Sequence, residues 1–407
     1  MRHPHSFSRR RFLHTTGLLA AGAALPPVLF AKTGGSGRLV VVVLRGALDG
    51  LAAVPPYGDR DYGELRRELA VAAPGAADGA LALDATFGLH PSLTFLHERY
   101  LGGELAVIHA VASPYRDRSH FDGQNVLENG LTQPVGTADG WLNRALASLP
   151  LRTAGRPERA VAVSQNVPLI LRGPIQVLSK SPATEPEADA DLLERLADLY
   201  SKDEWFSARL SEAVQSERMT VDAGPEMTTQ ATKPAADRVG SVARMAATLM
   251  RSDGGPEIAV IEATGWDTHA NQGGAKGILA QRLGSLDGAL RQLADGLGPL
   301  WQQTAVMVVT EFGRTAAING TRGTDHGTGG CAFLVGGAVR GGRVVTDWPG
   351  LGRSALLEGR DLRPTTDLRS VFKAVLGDHM RVDNASLSAH VFPNSSGARP
   401  LLGLIRA

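Results

Sequence analysis

The sequence predicts an α/β protein built on a mostly parallel central sheet with helices on both faces and one helical insertion. Three observations predict it. Valine-rich runs such as Arg38-Leu39-Val40-Val41-Val42-Val43-Leu44 read as strands buried on both faces. Helical patterns alternate with these runs, as crossover connections between parallel strands require. The 407 residues are 43% hydrophobic and 20% charged, with 48 glycines and 23 prolines, enough for a large core joined by many tight loops.

Each element follows in order. Pro91 to Tyr100 reads as a helix with Pro near its start, and Leu105-Ala106-Val107-Ile108 as the second strand. Phe121 to Glu128 and Trp141 to Leu149 are short helices, and Ala160 to Val163 is a third strand. Between 179 and 234, acidic helical stretches alternate with polar loops; this is the expected insertion, either a lid or a surface excursion. A helix over Ala235 to Arg251 and a strand at Ile258-Ala259-Val260-Ile261 come next. Gly277 to Leu297 is a long helix, with Leu279, Leu283, Leu286, Leu290 and Leu293 at steps of three and four. Strands at Thr304 to Val309 and Ala332 to Val335, a helix at Asp367 to Leu376 and an irregular tail complete the chain.

The first 31 residues read as an address. Ser8-Arg9-Arg10-Arg11-Phe12-Leu13 is similar to a twin-arginine export signal, followed by an apolar run that Pro26-Pro27 interrupts. That run is too short for a stable membrane span. The expected partner is the twin-arginine translocase, and the expected location is periplasmic or extracellular. Residues 32–407 are then one α/β domain that crosses the membrane folded, a route often taken by proteins that carry a metal.

Residues 1–31 hold four arginines and no acid, so the overall charge of +1 becomes 38 basic against 41 acidic residues without them. Nothing in that balance attracts nucleic acid. The single Cys331 excludes an internal disulfide and reads as a buried small hydrophobe.

Polar clusters follow several strands, where open parallel sheets bind ligands. After the first strand comes Arg45-Gly46-Ala47-Leu48-Asp49-Gly50, with Asp49 either a site carboxylate or a turn residue. Arg116-Asp117-Arg118-Ser119-His120-Phe121-Asp122 precedes a helix, with Ser119 as its cap or as a nucleophile favoured by the helix dipole. Gly265-Trp266-Asp267-Thr268-His269-Ala270-Asn271-Gln272 offers a carboxylate and an imidazole two residues apart, donors that suit zinc, manganese or iron. Thr310-Glu311-Phe312-Gly313-Arg314 offers a ligand or base in Glu311 and an anion clamp in Arg314. In Gly323-Thr324-Asp325-His326-Gly327-Thr328-Gly329-Gly330, His326 is a ligand candidate, Asp325 a ligand or orienter, and the glycines allow close backbone approach.

The ordered series Ser-His-Phe-Asp, Gly-Trp-Asp-Thr-His, Thr-Glu-Phe-Gly-Arg-Thr and Gly-Thr-Asp-His-Gly resembles a family of exported bacterial proteins known only as a domain of unknown function. More distantly, the layout resembles the alkaline phosphatase and sulfatase superfamily. The matching features are Pro91-Ser92-Leu93-Thr94-Phe95-Leu96 ahead of Ser119, Asp267 with His269 after a mid-sheet strand, and His326 ahead of Phe333-Leu334-Val335-Gly336-Gly337. The resemblance implies an alkaline phosphatase-like fold and one divalent metal ion (zinc, manganese, iron or calcium) on Asp267, His269 and His326. Asp49, Glu311 and Asp325 are further ligand candidates.

It also implies hydrolysis of an anionic phosphate or sulfate ester, small or polymeric, with Ser119 or a metal-bound water attacking. Arg314, with Arg45 as the lesser candidate, would hold the anion; Glu311 would serve as ligand or base, with His120 and Asn271 as extra contacts. Two features depart from the superfamily. Glu311-Phe312 stands where an Asp-His pair is usual, and Arg45 stands where the first strand should end in an acid. A non-catalytic binding or structural protein on a degenerate version of the fold is the alternative.

Overall fold

The computed structural model describes residues 37–151, 158–182 and 235–406. The expected export signal, and the expected insertion beyond residue 182, lie outside the described residues.

Along the chain run β1 (Arg38–Arg45), the short helices α1 (Gly50–Ala53) and α2 (Tyr62–Arg66), α3 (Thr94–Leu101), β2 (Leu105–Ala112), α4 (His120–Asn129) and α5 (Trp141–Ala147). Then come β3 (Ala160–Ala162), β4 (Leu178–Ser179), α6 (Ala235–Arg251), β5 (Ile258–Thr264), α7 (Ile278–Leu297) and β6 (Thr304–Thr310). Last are β7 (Gly330–Val335), β8 (Arg343–Val345), β9 (Thr366–Asp367) and α8 (Leu368–Ala374).

The valine run of β1 lies mid-sheet, paired in parallel with β5 on one side and β6 on the other. The order across the nine-stranded sheet is β8-β2-β7-β6-β1-β5-β3-β4, with β9 beside β2. Alternate side chains of β1 enter two separate cores, as the two-residue period of a strand demands. Val40, Val42 and Leu44 pack with Leu279, Leu283, Leu286, Leu290 and Leu293 of α7, all buried. Leu39, Val41 and Val43 pack on the other face, in the core that holds Trp141 of α5 and Phe372 of α8. Helices therefore cover both faces, as the sequence predicts.

One strand departs from the parallel pattern. β7 runs antiparallel to both β2 and β6. The segment 311–329 leaves the carboxyl end of β6 and enters β7 at that same edge. The lead-in to β7 therefore lies beside the ends of its neighbours, and His326 is on that lead-in. The tail, expected to be irregular, carries short helical segments at Asn384–Ser386 and Leu387–Val391.

The helix expected from Pro91 begins three residues later, at Thr94, and its first turn is capped from another element. Asp287 of α7 accepts hydrogen bonds from the Phe95 and Leu96 amides at 2.8 and 3.0 Å. Asp287→Ala would strip these caps, and urea unfolding should show a loss of about 1–2 kcal/mol. Among the described residues no helix is long and apolar enough to cross a membrane.

Candidate metal centre

Three loops meet where β1, β5 and β6 end and β7 begins. His120 opens α4, Asp267 and His269 follow β5, Glu311 and Arg314 follow β6, and His326 precedes β7. Close backbone contact makes this possible. Gly46 has φ +119, and a side chain there would strike the Asp267 amide. A side chain at Gly323 would strike the His269 carbonyl. Arg314 and His326 form an antiparallel bridge, which fixes the β7 lead-in against the end of β6.

The side chains converge on Asp267. His269 Nε2 lies 3.0 Å and His326 Nε2 3.4 Å from Asp267 Oδ1, and His120 Nε2 lies 3.5 Å from Oδ2. His120, Asp267 and His326 each offer a ligand atom within 4.8 Å of the others. His269 Nε2 is 2.9 Å from His326 Nε2.

The opposite nitrogen of each ring is already committed. His120 Nδ1 meets Glu311 Oε1 at 2.8 Å, His269 Nδ1 meets Asp325 Oδ1 at 3.2 Å, and His326 Nδ1 meets the Arg118 carbonyl at 2.8 Å. Carboxylates and carbonyls only accept, so each neutral ring carries its proton on Nδ1. All three Nε2 lone pairs then face inward. Two of them at 2.9 Å repel unless a proton or a cation lies between them. This is the tautomer that metal-binding histidines adopt, the outer nitrogen tied to an oxygen. His120 Nε2 is buried and makes no hydrogen bond, as a ligand nitrogen should be.

Charge supports the same arrangement. The Glu311 bond pushes His120 up, against the effect of its burial. Burial pushes Asp267 up, but Arg314 and His269 outweigh it and hold the carboxyl below its ordinary value. Burial lowers His326. Asp325 is held low by its bonds from Asn319 and His269.

The structure redistributes several of the roles read from the sequence. Glu311 is fully buried and orients the His120 ring. Its Oε1 accepts from the Gly46 amide at 2.8 Å as well as from His120, with Gln124 Nε2 3.3 Å away. Burial pushes its carboxyl up, but the His120 and Gly46 bonds outweigh that and leave it below the usual range. Three donors thus occupy Oε1, with Thr310 Oγ1 2.9 Å from Oε2. Asp325 likewise orients His269.

Asp49, offered as a ligand, takes no part in the cluster. Its fully buried carboxylate is bound by Arg66 at 2.5 and 2.9 Å and by Gln272 at 2.7 Å, and it caps α1 through the Leu51 and Ala52 amides. Arg45 is committed to Glu128, Glu262 and Gln124 rather than to an anion. Asn271 occupies a left-handed turn, with its amide on the Thr321 carbonyl.

Ser119 holds the N-cap position of α4, but its hydroxyl makes no cap bond. Arg314 has a fully buried side chain, with Nη2 on Asp267 Oδ1 at 2.7 Å and with Nε and Nη1 buried and unpartnered. Phe312 stacks on His120 at 5.1 Å and packs on His326 at 5.3 Å. The sequence undervalued His120. Its signal was an imidazole at a helix start just beyond the carboxyl end of a strand.

A family model of the description "Protein of unknown function (DUF1501)" matches residues 36–392. The chain belongs to the DUF1501 family. Among curated proteins nothing matches this DUF1501 chain. Solved structures similar to it include Ps i-CgsB in complex with k-i-k-neocarrahexaose, at 9% identity, 90% of this chain, 77% of that one and a TM-score of 0.44. A phosphonate monoester hydrolase of Agrobacterium radiobacter aligns at 10% identity, 85% and 74% coverage and a TM-score of 0.37. The C-terminal periplasmic domain of EcEptC from Escherichia coli, in complex with Zn, aligns at 11% identity, 77% coverage of both chains and a TM-score of 0.34. Likenesses of this size assign no activity to the DUF1501 chain.

Proposed function

We propose that this DUF1501 protein is an exported, metal-dependent hydrolase of a phosphate or sulfate ester, on a fold distantly related to alkaline phosphatases and sulfatases. The observation that carries the reading is the three inward Nε2 lone pairs around Asp267, each fixed from behind by an oxygen acceptor. His120, Asp267, His269 and His326 would hold a divalent ion, and this nitrogen-rich donor set suits zinc, manganese or iron better than calcium. Bound there, the ion would polarise an ester oxygen or acidify a water molecule.

The chain's own groups supply the rest. Arg314 points two unpartnered nitrogens from a buried guanidinium, and such donors suit the oxygens of a tetrahedral anion. The Ser119 hydroxyl, free of the cap bond and beside His120, is the candidate nucleophile, with a water molecule as the other. Glu311 keeps the His120 ring in its ligand tautomer. Glu311→Gln would loosen that hold, and zinc affinity measured by chelator competition should fall about 10- to 100-fold.

A panel of chromogenic phosphate and sulfate esters tests the reaction. Turnover that disappears with chelator and returns with one divalent metal supports hydrolysis. Bound metal with no turnover of any ester favours the second reading, a binding protein on a degenerate fold. Phe312 favours that reading too, because its ring, which cannot ligate, stacks on His120 at the position where that superfamily usually has the His of an Asp-His pair.

A further inference from the structure

We propose that Arg118 is a positioning residue for this centre, acting through its backbone carbonyl on His326 and through a side-chain pin to Asp361. The proposal rests on the metal reading of the same cluster and deepens it. The segment Arg116-Asp117-Arg118 is distinctive in the sequence, yet the functional reading leaves it without a role.

Arg118 adopts φ +61, a left-handed conformation uncommon for a residue with a side chain. Such a conformation persists when its surroundings over-determine it. Here they do. Arg118 Nε donates to Asp361 Oδ2 at 2.9 Å, and Nη2 donates to Glu358 Oε2 at 2.7 Å. Asp361 is fully buried and also accepts from Thr328 Oγ1 and Arg360 Nη1, each at 2.8 Å. Its backbone bridges Thr315, the neighbour of Arg314. One carboxylate thus ties the loop before α4 to the β7 lead-in, two residues past His326.

The left-handed turn has a chemical consequence. It aims the Arg118 carbonyl at His326 Nδ1, 2.8 Å away. A carbonyl can only accept, so it decides which nitrogen of His326 holds the proton and leaves Nε2 bare. Ser119 and His120 follow directly, so the same pin sets the start of α4.

The test uses the full chain, as Arg118→Met, Arg118→Gly and Arg118→Lys variants. Nitrogen-15 NMR of histidine-labelled, metal-free protein reads the His326 tautomer, and competition with a chelating dye reads zinc affinity. The wild type should show His326 protonated on Nδ1. Arg118→Met should mix the tautomers and weaken zinc about 10- to 100-fold, and Arg118→Lys should recover part of both.

Arg118→Gly tolerates the left-handed turn without strain but lacks the pin, so it should fail as Arg118→Met does. It also keeps the test usable if Arg118→Met does not fold. Wild-type tautomer and zinc affinity in the glycine variant would overturn the proposal. If the wild type binds no zinc, the metal reading fails by itself, and the tautomer comparison still decides the role of Arg118.

Discussion

A His269→Ala, His326→Ala double variant is expected to lose its bound divalent metal while keeping its fold. These rings supply two of the inward Nε2 atoms, 2.9 Å apart. Four-ligand zinc sites are worth about 10–16 kcal/mol, so removing two ligands should weaken zinc on the order of a thousandfold or more. Neither ring belongs to a core; their side chains are 44% and 24% exposed. Far-UV circular dichroism should therefore match the wild type, and elemental analysis should find the metal gone. Unchanged metal content in the folded variant would place the ion elsewhere.

Arg66→Met should have the largest effect on stability. Both Arg66 and Asp49 are buried, and the guanidinium grips both carboxylate oxygens. Removing the cation leaves Asp49 in the interior with only Gln272 and two amides as donors. Breaking a buried pair in this way costs about 3–5 kcal/mol. Adding Asp49→Leu should recover part of the loss, since no lone charge is then buried. Recovery should stop short of complete, because the α1 cap and the Gln272 bond go with Asp49. Urea unfolding of the two single variants and the pair measures the coupling. A cost under about 1 kcal/mol for Arg66→Met, with simple additivity in the pair, would contradict a strong Asp49–Arg66 interaction.

Six of the nine strands were legible in the sequence because they are nearly pure apolar runs; the short β4, β8 and β9 were not. The valines of β1 and the leucines of α7 announce burial by composition and period alone. The antiparallel β7 was not legible, since direction depends on where a connection returns and not on the strand's own residues.

At the site, the Asp267, His269, Glu311, Arg314 and His326 motifs all come to one edge, because each follows or precedes a strand that the sheet aligns. Their division of labour stayed hidden. That Glu311 orients His120 is decided by a hydrogen bond across 191 residues of chain. Asp49 read as a site carboxylate or a turn residue, and the structure makes it the cap of a helix that the sequence did not announce. Its ion pair with Arg66 had no readable signal, so its candidacy as a ligand rested on position alone. Gly46 and Gly323 were readable as glycines, but the backbones they admit were not.

Elemental analysis of the protein purified without chelator is the most direct measurement. Convergence of His120, Asp267, His269 and His326 predicts about one divalent transition-metal ion per chain, removed by chelator and restored by zinc. Metal far below stoichiometric amounts, together with no zinc uptake by the folded protein, would mean that these side chains gather around Asp267 for charge balance alone.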